Sequence, residues 1–196
     1  MVDTADAPRK GALKVVSVVS TAHLFSHFYQ IALPALFPIL AGVYGVSVGE
    51  LGLLIAVMFA ASGIAQVVAG FVVDRYGARN FLIIGATLLA GSFFLLAFFP
   101  NYWVAMGLMA LAGLGNSVFH PADFAIFQAS VRQDSLGRAY GWHGFAGNIG
   151  YMLAPIVMGG LAVTLGWQWA IALTGGAGLL TVVALIVFRN DLLDDT

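Results

Sequence analysis

The sequence contains no cysteine, and only 9% of its residues are charged. The first absence excludes disulfides, thiolate metal sites and cysteine nucleophiles. The second leaves too little charge for an ordinary water-facing surface. Charge is missing in blocks. No Lys, Arg, Asp or Glu occurs between Lys14 and Glu50, between Glu50 and Asp74, between Arg79 and Asp123, or between Arg138 and Arg189. Basic surface runs are also lacking, which argues against nucleic acid as a partner. Hydrolase, P-loop and dinucleotide motifs are missing, and glycine pairs such as Gly113-Leu114-Gly115 lie within apolar sequence rather than after a soluble strand. Neither an enzyme nor a bound cofactor is expected.

What is present is hydrophobic: 61% of the residues. A membrane-spanning helix needs about 20 predominantly apolar residues. The first two charge-free gaps hold one span each, and the last two hold two each. Pro100-Asn101 divides one of these pairs and Gly166-Trp167-Gln168-Trp169 the other. The spans read as roughly 15–42, 50–72, 80–99, 102–130, 138–164 and 168–188. The expectation is an all-α polytopic membrane protein, with a six-helix domain over 15–188 between short segments at 1–14 and 189–196. Trp167, Trp169, Tyr102 and Trp103 suit a membrane–water interface. Met1 to Lys14 is polar and the first apolar run is too long for a signal peptide, so none is expected.

All eight Lys and Arg residues fall on one side of this plot. Arg9, Lys10 and Lys14 precede the first span. Arg75 and Arg79 separate the second from the third, Arg132 and Arg138 the fourth from the fifth, and Arg189 follows the sixth. The positive-inside rule then places both ends in the cytoplasm and the chain, with lipid around it, in the cytoplasmic (inner) membrane.

The second basic connection reads Gly70-Phe71-Val72-Val73-Asp74-Arg75-Tyr76-Gly77-Ala78-Arg79. It resembles the G-x-x-x-D-R-x-G-R-[RK] signature of the major facilitator superfamily, with Ala78 at the first basic position. In the fifth span, Gly141, Gly150, Ala154, Pro155 and Gly159 resemble the antiporter-branch pattern G-x8-G-x3-G-P-x2-G-G, with Ala154 and Met158 at two glycine positions. Met109 stands where many proton-coupled members carry an arginine. His23-Leu24-Phe25-Ser26-His27 with Leu33-Pro34-Ala35-Leu36-Phe37-Pro38, and Gly113-Leu114-Gly115-Asn116-Ser117-Val118-Phe119-His120-Pro121, resemble the first and fourth helices of the fosmidomycin-resistance-like branch. The resemblance implies six helices arranged as two three-helix repeats, the N-terminal half of the facilitator fold, with spans one and four lining a central cavity. It also implies a gating role for Gly70, Asp74, Arg75, Gly77 and Arg79. Chemically, a carboxylate such as Asp74 can cap a neighbouring helix N-terminus, while arginines pair with it or with backbone carbonyls. The bland alternative is that Arg75 and Arg79 only set topology.

Ionisable groups inside a membrane are costly and mark function by default. His23, His27 and Gln30 recur on one face of the first span, and Asn116, His120 and Asp123 on one face of the fourth. His143 and Asn148 can join from the fifth. Pro121 removes a backbone hydrogen bond beside His120 and permits a kink. Three readings compete. The groups only fix helix packing; or they form a substrate and proton pathway, with His120 and Asp123 as a titrating pair; or they form a metal pathway, with imidazoles at i and i+4 and Asp123 as oxygen ligand. The metal reading ranks below the proton one, and no metal site is assigned. The glycines of the fifth span serve tight helix packing or allow it to slide against a neighbour.

The expected function is secondary active transport of a small-molecule solute by alternating access, with export and proton antiport as options. A half-transporter of single topology can pair in parallel as a homodimer or with a complementary six-helix half. A non-transporting membrane subunit is the alternative in a different class. A reporter enzyme active only outside the cytoplasm is expected to work when fused after Asn101 and to fail after Arg138. The reverse pattern would overturn the orientation.

Overall fold

The computed structural model describes residues 11–193; Arg9 and Lys10 and the acidic tail residues Asp194, Asp195 and Thr196 lie outside them. Among the described residues six helical spans cross the fold and no strand occurs. Span one comprises α1 (Ala12–Ala32), a 3-10 turn at Pro34–Leu36 and α2 (Phe37–Tyr44). Spans two and three are α3 (Val48–Tyr76) and α4 (Ala78–Leu96). Span four is α5 (Tyr102–Asn116) followed by α6 (Phe119–Ser130). Spans five and six are α7 (Leu136–Leu165) and α8 (Trp167–Val187).

Local chemistry sets the boundaries. Ser47 and Glu50 form a reciprocal capping box at the start of α3, which begins the helix before Glu50. Asn101 accepts from the backbone N–H groups of Trp103 and Val104 and starts α5. Second-span helix continues past the expected residue 72 through Asp74 and Arg75, because the terminator is Gly77 at φ 94°. Pro34 and Pro38 interrupt span one, where the backbone tightens into the 3-10 turn. Span four breaks at Ser117 and Val118. Pro121 lacks the N–H that would bond the Ser117 carbonyl, so the new helix places it in a first turn, where none is needed.

The two halves of the chain repeat these features. Spans one and four, the first of each triplet, are both broken. Spans two and three are joined by Gly77 alone, and spans five and six by Gly166 alone, at φ 94° and 91°. These links lie at opposite ends of the bundle. Packing follows the same symmetry: α1 lies chiefly on α7, α3 on α5, and α4 on both α5 and α8. Such nested, oppositely oriented triplets are a known membrane-transporter architecture.

Close crossings use glycine. A Cβ on Gly150 would collide with the Leu24 carbonyl of α1, and one on Gly113 with the Met58 carbonyl of α3. The predicted packing motif of the fifth span therefore divides. Gly150 and the buried Ala154 face the bundle, while Gly141 and Gly159 have open space beside them and Pro155 is exposed. In hydrocarbon, close van der Waals approach is the main cause of helix association.

The basic end of the bundle is tied together. Lys14 Nζ lies 3.0 Å from Asp191 Oδ2, and the Arg79 guanidinium donates to the Arg189 carbonyl at 3.2 Å. Lys14, Arg79 and Arg189 thus share one end of the structure. Gly150→Ala is expected to cost about 1–3 kcal/mol through overpacking at the α1–α7 crossing, and Gly159→Ala less than about 0.5 kcal/mol. Thermal unfolding in detergent measures both; equal losses would contradict this account.

Candidate functional site

Three spans bring their polar residues to one point. From α1, His23 and His27 lie one helical turn apart. Asp123 sits on α6, soon after the break in span four, and His143 on α7 above the glycine face. Asp123 Oδ2 lies 3.4 Å from His23 Nδ1 and 3.3 Å from His143 Nε2. Exposure is 0% for Asp123, 2% for His23 and 3% for His143, so solvent does not reach the inner group. The His23 and His143 rings stack with centroids 3.7 Å apart. His27 and His120 are half-buried around them, at 4.3 and 5.2 Å from the His23 ring. Gly147 makes room for this: a Cβ there would come within 3.0 Å of His27 and 3.1 Å of His23.

The expected His120–Asp123 pair is not what the geometry shows. Both residues lie on α6, yet among the described residues the imidazoles within 4 Å of the Asp123 carboxylate are those of His23 and His143. Interhelical packing turned the carboxylate inward, while His120 stays on the half-buried rim. Likewise Asn116 does not continue the face of His120 and Asp123. The break after Asn116 resets the helical phase, and its amide donates to Ser62 Oγ of α3 at 2.9 Å. Gln30 is buried, and its Oε1 accepts from Tyr151 at 2.6 Å. Asn148 is exposed and donates to the Gly144 carbonyl of its own helix, so it lies outside the buried group.

Three further contributors are not placed in the polar site by the sequence, where Gly147 reads only as a packing glycine of the fifth span. Tyr151 bonds Gln30 and rests 4.4 Å from the His27 ring. Ser62 receives Asn116, and Gly147 opens space for the imidazoles. The signal for two of them was present: His143, Gly147 and Tyr151 recur every four residues on α7, the spacing of one helical face. Ser62 had no such signal, since a lone serine in an apolar helix is indistinguishable from packing.

At the basic end, the gating candidates do not form the expected cap. Gly77 is the N-cap of α4, without any side-chain cap bond. Asp74 and Arg75 lie one turn earlier and are exposed, with the Arg75 guanidinium 5.7 Å from the Tyr76 ring. The single-glycine link reverses the chain so sharply that Asp74 does not reach the next helix start. Arg79 instead holds the end of α8 through the Arg189 carbonyl. Gly70 has open space on its Cβ side. A separate apolar groove of about 460 Å³, lined by Ile64, Val68, Val72, Phe81 and Val118, lies between α3, α4 and span four. It carries no ionisable group.

Six apolar spans in two broken-helix triplets, with a buried ionisable cluster, define a multi-pass membrane protein of facilitator architecture. The chain belongs to the Major Facilitator Superfamily, whose family model matches residues 19–194. It is 25% identical over 188 residues to the uncharacterized MFS-type transporter YfnC of Bacillus subtilis, covering 95% of this chain and 45% of that protein. It is 28% identical over 150 residues to the fosmidomycin resistance protein of Escherichia coli, covering 73% and 35%. Among solved structures, the POT family transporter PepTSo superposes with a TM-score of 0.81 at 17% identity, covering 97% of this chain and 39% of that one. The peptide transporter POT in complex with sulfate gives 0.78 at 19%, covering 96% and 41%. The chain thus spans less than half the length of these relatives.

Proposed function

We propose that this chain forms one half of a secondary active transporter of a small solute, working by alternating access in the cytoplasmic membrane with both termini in the cytoplasm. The observation that carries this reading is the His23–Asp123–His143 cluster, buried at the junction of three spans and rimmed by His27 and His120. Buried ionisable groups inside a membrane are expensive, and they are retained where a substrate or ion must pass. Such a site can load and release a proton, which fits proton-coupled export. Likeness to a fosmidomycin resistance protein makes fosmidomycin the first solute to test. Asp74, Arg75 and Arg79, with Gly70 on the same helix as Asp74, serve as the cytoplasmic latch in this reading, and Gly77 allows the turn.

The half is completed by a second one. Spans two and five are only 22% buried, against 44–50% for the other four. Their exposed faces carry Ile64, Val67, Val68 and Phe71 on α3 and Phe145, Met152, Ile156 and Val163 on α7. Facilitator halves are related by an axis along the membrane normal, so two identically inserted copies can meet as such halves do. A parallel homodimer is the proposed assembly. A complementary six-helix chain is the second reading, supported by relatives more than twice as long.

Native mass spectrometry in detergent is expected to find a particle of two 20.6 kDa chains. A monomer alone would count against the homodimer, and a distinct partner would select the complementary half. Proteoliposomes loaded with a pH-sensitive dye are expected to show proton movement on addition of fosmidomycin. Asp123→Asn and His120→Ala should each slow it by about 100-fold or more, the lower end of the range for a lost proton-transfer group. Wild-type rates in both variants would remove these residues from the pathway.

A further inference from the structure

We propose that His23, Asp123 and His143 form a binding site for a divalent transition-metal cation. Binding follows from the donor geometry and does not depend on whether the chain transports. One donor atom from each residue lies within 4.8 Å of the other two. The donors come from α1, α6 and α7, so the fold has assembled them, and no local sequence spacing accounts for their meeting.

The separations are longer than those of strong hydrogen bonds. Charge-assisted N–H···O bonds cluster at about 2.7–2.9 Å. Here the carboxylate oxygen lies 3.4 Å from His23 Nδ1 and 3.3 Å from His143 Nε2. Neither Asp123 oxygen accepts a hydrogen bond, and neither ring nitrogen facing it donates one. A tetrahedral site with metal–ligand bonds of about 2.0–2.1 Å sets neighbouring donor atoms about 3.3–3.4 Å apart. The two carboxylate–imidazole separations match that edge, while the two imidazoles, stacked at 3.7 Å between centroids, must swing apart for both to ligate one ion. A cation would also answer the electrostatics: a fully buried carboxylate with no donor is costly unless paired or coordinated.

The donor set selects the ion class. Two imidazoles and one carboxylate suit zinc, iron, cobalt or nickel, whereas calcium and magnesium favour all-oxygen shells. The chain has no cysteine, so soft thiolate chemistry is excluded. Three protein ligands leave a coordination position for water, for His120 or for an incoming group. His120 and His27 are half-buried on the rim, placed to pass an ion inward. The ring of His143 packs edge-on to Phe127 at 5.1 Å. Gly147 keeps the space into which His23 and His27 project.

The full chain, purified with an affinity tag free of histidine and stripped with a chelator, is titrated with ZnCl2 by calorimetry and with CoCl2 by visible absorption. One ion per chain and the d–d bands of four- or five-coordinate cobalt are expected. Asp123→Asn and His143→Gln should each weaken binding by roughly 100-fold or more, beyond the range seen for second-shell changes. Gln66→Ala, exposed on α3, should leave it unchanged. No binding up to about 1 mM, an affinity of only about 4 kcal/mol, would overturn the proposal, as would binding that survives both substitutions. If either variant fails to fold, electron spin-echo modulation of the copper(II)-loaded wild-type chain decides. Coupling to two imidazoles supports the site; none overturns it.

Discussion

Hydrocarbon offers no hydrogen-bond partner, and most of this structure follows from that constraint. Every backbone group in the spans must be satisfied within the protein, so the chain is helical wherever it crosses. Where helices break, at Leu33 to Leu36 and at Ser117 and Val118, the irregular backbone lies against neighbouring helices. Large apolar side chains such as Ile64, Phe71 and Val163 can remain on the outside because lipid is as good a solvent for them as protein. The core must therefore be held by close contact, and glycines at the α1–α7 and α3–α5 crossings supply it.

The same constraint gives the ionisable residues their meaning. Asp123 is the only Asp, Glu, Lys or Arg between Arg79 and Arg132, and it is wholly buried. It sits in a nest of imidazoles contributed by three separate spans. Such a site is poorly suited to hold the bundle together, since apolar residues of similar volume would do so at lower cost. It is well suited to accept a proton or a cation. The histidines on its rim, His27 and His120, are only half-buried.

That open surface links site to assembly. Spans two and five are symmetry-equivalent in the two triplets and are also the least buried. A second six-helix unit placed on them would bury their apolar faces and enclose the rim.

The sequence by itself determined the number of spans, their limits to within a few residues, and the grouping of all basic residues on one side. These depend on hydropathy, charge spacing and the local chemistry of Ser47, Pro100, Asn101 and Gly166, which act over a few residues. It also placed His23, His27, His120, Asp123 and His143 inside the membrane. Only the tertiary structure decided which of them meet. Helical phase predicted His120 beside Asp123 and Asn116 on the same face. The break after Asn116 turned that amide toward Ser62, and the packing of α6 against α1 and α7 turned Asp123 toward His23 and His143. Asp74 was expected to cap the next helix, but the one-residue turn at Gly77 left it outside. Side-chain partnership across helices depends on rotation and crossing distance, and those are settled by glycine contacts between spans far apart in the chain.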